Sequence, residues 1–459
     1  MTALVNALML GWFPIMLAMF AVLGPGRAAI VGIFTGWLVL PVATLHIEGF
    51  IDIDKRAALS LGILLAAGLS DTQRLLRFKP SLVDLPMVLW CLSSYPTSVV
   101  NGLGLYDGFS TSLRLILRWG VPWFLGRLYL RDLRSQKLFC EVGFIAGLIY
   151  APLCLWEVRM SPTLHGNVYG TLVYEGISYA SSLGKWGSRP SVFMANPLEL
   201  GLFMTTACLC GLALVLMRSR KRLFGFPYSI LLAGLVLVSL VCKNLGASFL
   251  LFAGAASLWW AYRRKSLLPI YALSALMPLY AGLRATNSWD GTEIVDLASH
   301  IHAERAQSFA FRLHNEDLLV AKALQRPVFG WGEWGRGRVY DETGKDISVI
   351  DGMWEAAVVT FGLSGLVLLI TSLLVPVAVL ARRVERALLG DPRLVPAITA
   401  TIVATLLAVD GIANDFPSPL SVLAAGGVAC LPPLRAAAVR AGRGRTRSGT
   451  QALGPHAHA

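Results

Sequence analysis

Charged side chains are scarce in this chain of 459 residues: 15% are Asp, Glu, Lys or Arg, whereas 55% are hydrophobic. Water-soluble globular proteins carry about 25% charged residues. The deficit excludes a soluble enzyme, a disordered protein and a nucleic-acid-binding module, in spite of a formal net charge of +13. Apolar runs of about 20 residues, the length that crosses a bilayer as a helix, recur along the chain. The sequence therefore predicts an all-α, polytopic integral membrane protein.

Several familiar catalytic motifs are also missing. The sequence contains no G-x-x-x-x-G-K-[ST] phosphate loop, no H-E-x-x-H and no G-x-S-x-G. Its seven cysteines lie within or at the ends of apolar runs without C-x-x-C spacing, which is typical of packing residues. ATP hydrolysis, zinc chemistry and serine-hydrolase chemistry are thus disfavoured, and we expect neither a metal nor another cofactor.

The apolar runs predict about 12–13 transmembrane helices. They lie near 7–23, 28–45, 57–71, 83–100, 113–130, 138–156, 191–217, 227–243, 246–262, 266–283, 352–380, 394–412 and 417–434. The first ten residues contain no Lys or Arg, so we expect the first span to be retained rather than cleaved as a signal peptide.

Lysine and arginine are concentrated between alternate apolar runs and in the tail. These clusters lie at 74–79, 127–137, 218–222, 263–265, 382–393 and 435–447. Short loops rich in Lys and Arg stay in the cytoplasm, so the clusters predict a cytoplasmic C-terminus. With 13 spans the N-terminus is outside; with only two spans in the first 70 residues it is inside. Binding of RNA or of anionic lipid is the alternative interpretation of the same clusters.

This topology divides the chain into six parts. They are N-terminal transmembrane helices (1–156), a first large periplasmic loop (157–190), central transmembrane helices (191–283), a second large periplasmic loop (284–351), C-terminal transmembrane helices (352–434) and a basic, disordered tail (435–459). Long loops in a compact membrane domain are usually functional, so we place the candidate site in the two loops.

The second loop contains a predicted helix over 297–325. Arg305, Arg312 and Glu316 lie on one face of it, together with His302 and Phe309, because they are three or four residues apart. Two arginines on one face suit an anion, although a solvated face on the membrane surface would show the same spacing. In the first loop, Arg189 lies where the chain re-enters the membrane and needs a counter-charge, either a substrate phosphate or a lipid headgroup.

Three stretches of these loops carry a resemblance to a known family. They read S-P-x-L-H-x-x-x-Y-G at 161–170, R-P-S-V-F-M at 189–194, and R-P-V-F-G-W-G at 326–332 continuing to D-G-M-W-E at 351–355 and F-G-L-S-G at 361–365. In order and spacing the chain resembles the bacterial O-antigen ligase and O-antigen polymerase superfamily of polytopic glycosyltransferases. Outside these stretches the match is one of hydropathy and loop position.

The resemblance implies an activity at the periplasmic face of the bacterial inner membrane. Members transfer a glycan from undecaprenyl pyrophosphate to an acceptor hydroxyl without a metal. In ligases the acceptor is lipid A-core; in polymerases it is another lipid-linked repeat, and a chain-length regulator is a possible partner. By position, Arg189 and Arg312 are implied to hold the pyrophosphate, and Arg305 and Arg284 are further candidates. Asp351 stands where ligases commonly carry His, which favours a polymerase of O-antigen or exopolysaccharide.

General chemistry agrees with these implied roles. Arginines stabilise the charge that develops on a pyrophosphate leaving group, and the carboxylate of Asp351 or Glu355 can accept the proton of the attacking hydroxyl. Asp351 would equally serve as a helix N-cap and Glu355 as an interfacial residue. His165 is a candidate hydrogen-bond donor to sugar or phosphate.

Three tryptophans complete the candidate site. Trp331, Trp334 and Trp354 can stack on sugar rings, although tryptophans also form the aromatic belt of membrane proteins. We therefore expect a bilayer-embedded glycosyltransferase whose partners are a lipid-linked oligosaccharide donor and a glycan or glycolipid acceptor, with no nucleic acid. The alternatives are an O-antigen ligase, a transporter or flippase of lipid-linked oligosaccharide, and a non-catalytic scaffold.

Overall fold

Helix dominates the structure, a computed structural model that describes residues 3–46, 52–173, 183–184, 187–217, 222–223, 225–286, 288–301 and 303–435. The N-terminal helices are α1 (Ala3–Leu23), α2 (Pro25–Val39), α3 (Lys55–Ser70), α4 (Thr72–Leu76), α5 (Leu85–Leu92), α6 (Ser94–Val100), α7 (Leu105–Leu115), α8 (Val121–Tyr129) and α9 (Leu133–Met160). The later ones are α10 (Leu164–Tyr169), α11 (Pro197–Leu216), α12 (Tyr228–Val241), α13 (Leu245–Arg264), α14 (Leu268–Ala285), α15 (Thr292–Ile301), α16 (Ala303–Leu324), α17 (Met353–Arg383), α18 (Val395–Asp410) and α19 (Pro419–Ala429).

Six helical segments are long and apolar enough to cross a membrane. They are Ala3–Leu23, Leu133–Met160, Pro197–Leu216, Leu245–Arg264, Met353–Arg383 and Pro392–Asp410. Shorter apolar helices pack among them, including α2, α12 and α19. The prediction of an all-α protein with membrane-spanning helices is confirmed, and the number of 12–13 spans stays a prediction.

Strands are confined to three short antiparallel hairpins in the described residues. They pair Thr44–Leu45 with Ile53–Asp54, Leu183–Gly184 with Gly187–Ser188, and Arg222–Leu223 with Phe226–Pro227. Each connects helices, so none forms a separate layer.

Both long loops lie at one end of the helix bundle, which we call the loop end. In the first loop, His165 Nε2 accepts a hydrogen bond from Val42 N–H just after α2, at 3.0 Å. In the second loop, the carbonyl of Gly330 accepts from Asn101 Nδ2 at the end of α6, at 2.9 Å. Because α9 begins at the other end and reaches the first loop at Met160, the segment before it, which includes Asp132, lies at the opposite end.

Helix α17 is interrupted by a segment of the second loop. Gly362 has a φ of 69°, so the helix is broken there. The stretch 327–332 enters the break: Trp331 N–H donates to Val359 O at 3.0 Å, and Leu363 N–H donates to Pro327 O at 2.7 Å. The broken ends of a helix in an apolar setting need new partners for their backbone groups, and the P-V-F-G-W-G stretch supplies them.

The loop helices only partly follow the sequence-based expectation. The predicted helix over 297–325 is two helices, Thr292–Ile301 and Ala303–Leu324, and residue 302 lies outside the described residues.

The predicted span 113–130 is a continuous helical run from Leu105 to Tyr129 that includes a π-helical turn at Ile116–Gly120. Periodicity does not reveal such a turn, because its apolar pattern matches that of an ordinary helix.

The break in α17 gives a stability prediction. A Cβ at Gly362 would overlap the backbone of Val328, and the positive φ disfavours any other residue. We expect Gly362→Ala to destabilise the detergent-purified protein by at least about 2 kcal/mol, measured by thermal unfolding. Gly282→Ala is the matched control, because a Cβ at Gly282 in α14 meets nothing within 4 Å. Equal stability of the two variants would contradict the role given to the break.

Candidate active site

Three arginines and three carboxylates form a group at the loop end, which we call the charged belt. Its members are Arg56, Arg114, Arg118, Glu199, Glu333 and Asp415. Each arginine comes from the helices of the first 130 residues, and each carboxylate comes from a later part of the chain. The belt thus joins segments that are far apart in sequence.

The pairing within the charged belt is one carboxylate to each guanidinium. Arg56 bonds Glu199 in the first turn of α11, and Arg114 bonds Glu333 in the second loop. Arg118 Nη2 lies 3.6 Å from Asp415 Oδ1 and donates to the carbonyl of the same residue at 3.3 Å. Charges inside a helix bundle need such partners, because withdrawal from water is costly for an isolated ion.

Two adjoining cavities open onto the charged belt. One, of about 300 Å³, is lined by the second loop and the start of α17; the other, of about 280 Å³, is lined by the start of α3 and by α7. Both are lined by Arg118 and Glu333. The belt therefore faces partly open space large enough for a small polar group, and Arg118, from the π-helical turn, lines both cavities.

Trp334 projects into the larger cavity from a tight turn of the second loop. Its side chain is 62% exposed, and its φ of 65° places it in the left-handed region. The guanidinium of Arg114 lies 4.3 Å from its ring centroid. An exposed indole beside a cation offers an apolar face and is suited to stacking on a sugar ring.

Arg312 and Asp351, two of the predicted catalytic residues, are brought together next to the charged belt. Arg312 Nε lies 3.7 Å from Asp351 Oδ2, and the two side chains are 33% and 31% exposed. Arg312 Nη1 also donates to Ala413 O at 3.3 Å, on the turn that carries Asp415. A guanidinium and a carboxylate thus lie in reach of solvent near the larger cavity, whose lining includes Ile350, the neighbour of Asp351, and Asp415.

Glu355 has a structural role in the first turn of α17. Its Oε2 accepts from Asp351 N–H at 3.3 Å and its Oε1 from Gly352 N–H at 3.2 Å, and its side chain is buried. The helix N-cap is Gly352 rather than Asp351, so the carboxylate of Asp351 is left to Arg312. Trp354 is fully buried beside Tyr280 and does not face either cavity.

Arg284 holds the second loop to the bundle. Its side chain is only 2% exposed, and all five of its N–H groups have acceptors. They are Glu316 Oε2 at 2.7 Å, Asp317 Oδ1 at 2.7 Å, and the carbonyls of Leu313, Trp289 and Asp290 at 3.0–3.2 Å. No N–H of Arg284 is left for a substrate in this arrangement, and the residue ties α14 to α16.

His165 is engaged at both ring nitrogens. Its Nε2 accepts from Val42 N–H at 3.0 Å, and its Nδ1 donates to Thr171 O at 2.6 Å. Burial lowers the pKa of His165, so the neutral ring that this pairing requires is favoured. The histidine therefore holds the first loop against the end of α2.

Trp331 lies between two cations of α16 and the turn that follows. Lys322 Nζ is 3.8 Å and the Arg326 guanidinium 4.1 Å from its ring centroid, and its indole N–H donates to Lys322 O. This packing holds Trp331, and with it the 327–332 segment, against the end of α16.

Arg189 and Arg305, the other two arginines predicted for the site, are less fully described by the structure. Arg189 follows the hairpin at Gly187–Ser188 and is half-buried; among the described contacts none joins it to Arg312 or Asp351. Arg305 lies in α16, and its side chain is outside the described residues. A shared site of Arg189 with Arg312 thus stays a prediction.

The charged belt was missed by the sequence reasoning, although one signal for it was present. Arg114 and Arg118 lie inside the predicted span 113–130, and charged residues within a span are by default functional candidates. Their partner carboxylates carried no local motif. In the described residues no group of three or more His, Cys, Asp or Glu side chains could hold a metal ion.

Comparison with protein-family models finds no match to this chain, and comparison with curated proteins finds no significant match. The geometry of this site and the resemblance of the loop motifs are therefore the observations that bear on function.

The role of Arg284 can be tested by stability. Breaking a buried ion pair leaves an uncompensated charge and costs about 3–5 kcal/mol, so we expect Arg284→Ala to lower the free energy of unfolding by that amount in thermal or denaturant unfolding. Arg393→Ala is the control, because the Arg393 side chain is 54% exposed and a surface pair of this kind is worth at most about 1 kcal/mol. A stable Arg284→Ala protein would return this residue to the list of substrate contacts.

The charged belt predicts a pH dependence of stability. Withdrawal from bulk water raises the pKa of Glu333 and of Asp415, and the neighbouring arginines only partly offset the effect. The folded protein then binds the protons of these two carboxyl groups more tightly than the unfolded chain does. The contribution of the two groups to stability is therefore smallest at high pH and grows as the pH falls through their raised pKa. We expect Glu333→Gln to reduce the gain in melting temperature between about pH 8 and about pH 5. Glu342→Gln, on an exposed turn of the same loop, is the control; identical pH profiles for wild type and Glu333→Gln would contradict this assignment.

Proposed function

We propose that this chain is a membrane glycosyltransferase that polymerises glycan repeats carried on undecaprenyl pyrophosphate at the outer face of a bacterial plasma membrane. The observation that carries the proposal is the convergence, at one end of an apolar helix bundle, of several guanidinium groups beside two partly open cavities and an accessible Arg312–Asp351 pair. Of the stretches that resemble O-antigen ligases and polymerases, those at 326–332, 351–355 and 361–365 contribute Gly332, Met353 and Phe361 to the lining of the larger cavity.

The arginines suit the leaving group of this reaction. When the bond between the anomeric carbon and the pyrophosphate oxygen breaks, negative charge develops on the pyrophosphate. Guanidinium groups keep their charge and bind phosphate oxygens in pairs, and a site withdrawn from water strengthens that attraction. Arg118 lines both cavities and Arg312 lies near the larger one, so both are positioned for a diphosphate. Their present carboxylate partners are the groups that a substrate would displace.

The carboxylate of Asp351 suits the acceptor. The acceptor hydroxyl must lose its proton as it forms the new glycosidic bond, and an accessible carboxylate can take that proton. Because Glu355 is occupied by the backbone of the helix start, Asp351 is the general base of this proposal. Trp334 provides an exposed ring for a sugar next to Arg114.

The distribution of charge supports an outward-facing site. The opposite end of the bundle carries basic clusters, including Arg74, Arg127 and Arg134, and short basic loops are retained in the cytoplasm. The loop end would then face the periplasm, where the carrier presents its glycan. An aspartate at position 351, where ligases commonly carry histidine, favours polymerisation over transfer to lipid A-core.

Reconstitution distinguishes this activity from its alternatives. In liposomes that contain a purified lipid-linked repeat, a polymerase yields longer lipid-linked chains and free undecaprenyl pyrophosphate, both detectable by mass spectrometry. A ligase yields product only when lipid A-core is added. A flippase moves the repeat across the bilayer without changing its mass. Movement without a mass change, or no reaction with either acceptor, would overturn the proposal.

Variants assign the roles. We expect Arg312→Gln and Arg118→Gln to lower turnover at least about 100-fold, because each removes a charge that stabilises the leaving group, and Asp351→Asn to reduce kcat more than KM. Arg77→Gln, an exposed arginine at the opposite end, is the control and should retain full activity. Wild-type turnover by Arg312→Gln in correctly folded protein would remove that residue from the site.

A further inference from the structure

A third cavity, of about 600 Å³, lies at the opposite end of the bundle, away from the candidate active site. Its walls are the first turn of α2, helix α4, the end of α8 and the beginning of α9. The lining residues used below are Arg27, Ile30, Arg74, Arg134, Lys137 and Leu138. Since α9 has 28 residues and rises about 1.5 Å per residue, the cavity is about 40 Å from the first loop.

Four cations line this cavity, against two carboxylates. Asp132 accepts from Ser135 N–H at 2.8 Å as the N-cap of α9, and Glu141 lies 3.4 Å from Lys137 Nζ. In the part of the chain that the structure describes, no carboxylate lies within 4.0 Å of the guanidinium of Arg27 or Arg134. The lining therefore has an excess of positive charge that its own carboxylates do not neutralise.

The third arginine is held in place at the wall. Arg74 Nε lies 3.1 Å from Asp71 Oδ2, and its guanidinium lies 5.1 Å from the ring centroid of Tyr129. The hydroxyl of Tyr129 donates to the same Asp71 carboxylate at 3.2 Å. A guanidinium fixed in this way is positioned before a ligand arrives, which lowers the entropic cost of binding.

The cavity combines this charge with an apolar wall. Ile30 and Leu138 line it from the side of the helices, whereas the arginines lie at the helix ends. A phosphate group attached to a hydrocarbon chain has the complementary arrangement, an anion at the membrane surface and an apolar tail directed into the bundle.

We propose that this cavity binds a phosphate group, and specifically the phosphodiester headgroup of an anionic membrane lipid. Arginine pairs bind phosphate oxygens with directed, charge-assisted hydrogen bonds, and basic residues near a membrane surface attract anionic lipid. A free phosphate anion would use the same cations without the apolar wall. The proposal is independent of the glycosyltransferase activity, since it concerns the other end of the molecule.

Native mass spectrometry of the full chain tests the proposal. The protein is released from micelles that contain phosphatidylglycerol or phosphatidylcholine at equal concentration. We expect retained phosphatidylglycerol on the wild-type protein, and a loss of at least about fivefold in Arg27→Gln/Arg134→Gln, equivalent to about 1 kcal/mol. The control is Arg77→Gln/Lys79→Gln, which removes the same charge at the same end outside the cavity lining and should retain the lipid.

Competition separates the two sources of phosphate. Retention of phosphatidylglycerol that persists in millimolar inorganic phosphate supports the lipid, whereas displacement by inorganic phosphate overturns the headgroup assignment in favour of a soluble anion. Equal losses in the cavity variant and the control variant, or equal retention of phosphatidylglycerol and phosphatidylcholine, would show that these cations serve membrane orientation alone and would overturn the site.

Discussion

The need to pair charge inside an apolar helix bundle is the constraint on which the loop end depends. Arg56, Arg114 and Arg118 are carried by helices packed into the bundle, where an isolated guanidinium is costly. Their partners come from Glu199, Glu333 and Asp415, which lie on three later segments. The ion pairs therefore link three later segments to the first 130 residues, and the two cavities lie where these segments meet.

A second constraint acts on the backbone. The interruption of α17 at Gly362 exposes backbone groups that membrane surroundings cannot satisfy. The segment 327–332 supplies the missing partners, and it also carries Glu333 and Trp334 directly behind it. The backbone hydrogen bonds at the break thus fix the position along the bundle at which Glu333 of the second loop meets Arg114. One short run of glycines and aromatic residues, at 327–332, thus both bonds the broken helix and positions the side chains of Glu333 and Trp334 that follow it.

Much of the architecture is available from the sequence, because apolar length and loop composition are strong signals. The long helices, the helix that carries Arg312 and the closeness of Arg312 to Asp351 all follow the expectation. The roles of other residues cannot be predicted from periodicity. Arg284, expected to bind substrate, has all five N–H groups in structural hydrogen bonds, and Glu355 accepts from two backbone N–H groups at the start of α17. Burial and partner geometry of this kind depend on tertiary packing.

The charged belt, in contrast, is a site that the sequence does not predict. Arg114 and Arg118 stand in an apolar run that reads as a plain span, and their carboxylates are separated from them by about 200 and about 300 residues, as the paired positions show. No local pattern connects such distant positions. The charge inside the span was the available signal, and only the fold reveals what it meets.

The distance in sequence between Arg118 and Asp415 has a consequence for biosynthesis. A chain emerging from the ribosome delivers this arginine to the membrane long before its partner exists. Until the turn between α18 and α19 is made, the guanidinium must be hydrated or held by a lipid headgroup, and the half-built bundle stays open at that end. Pairing of Arg118 with Asp415 therefore waits for the hairpin of α18 and α19, and the cavity that both residues line is completed in the same late step.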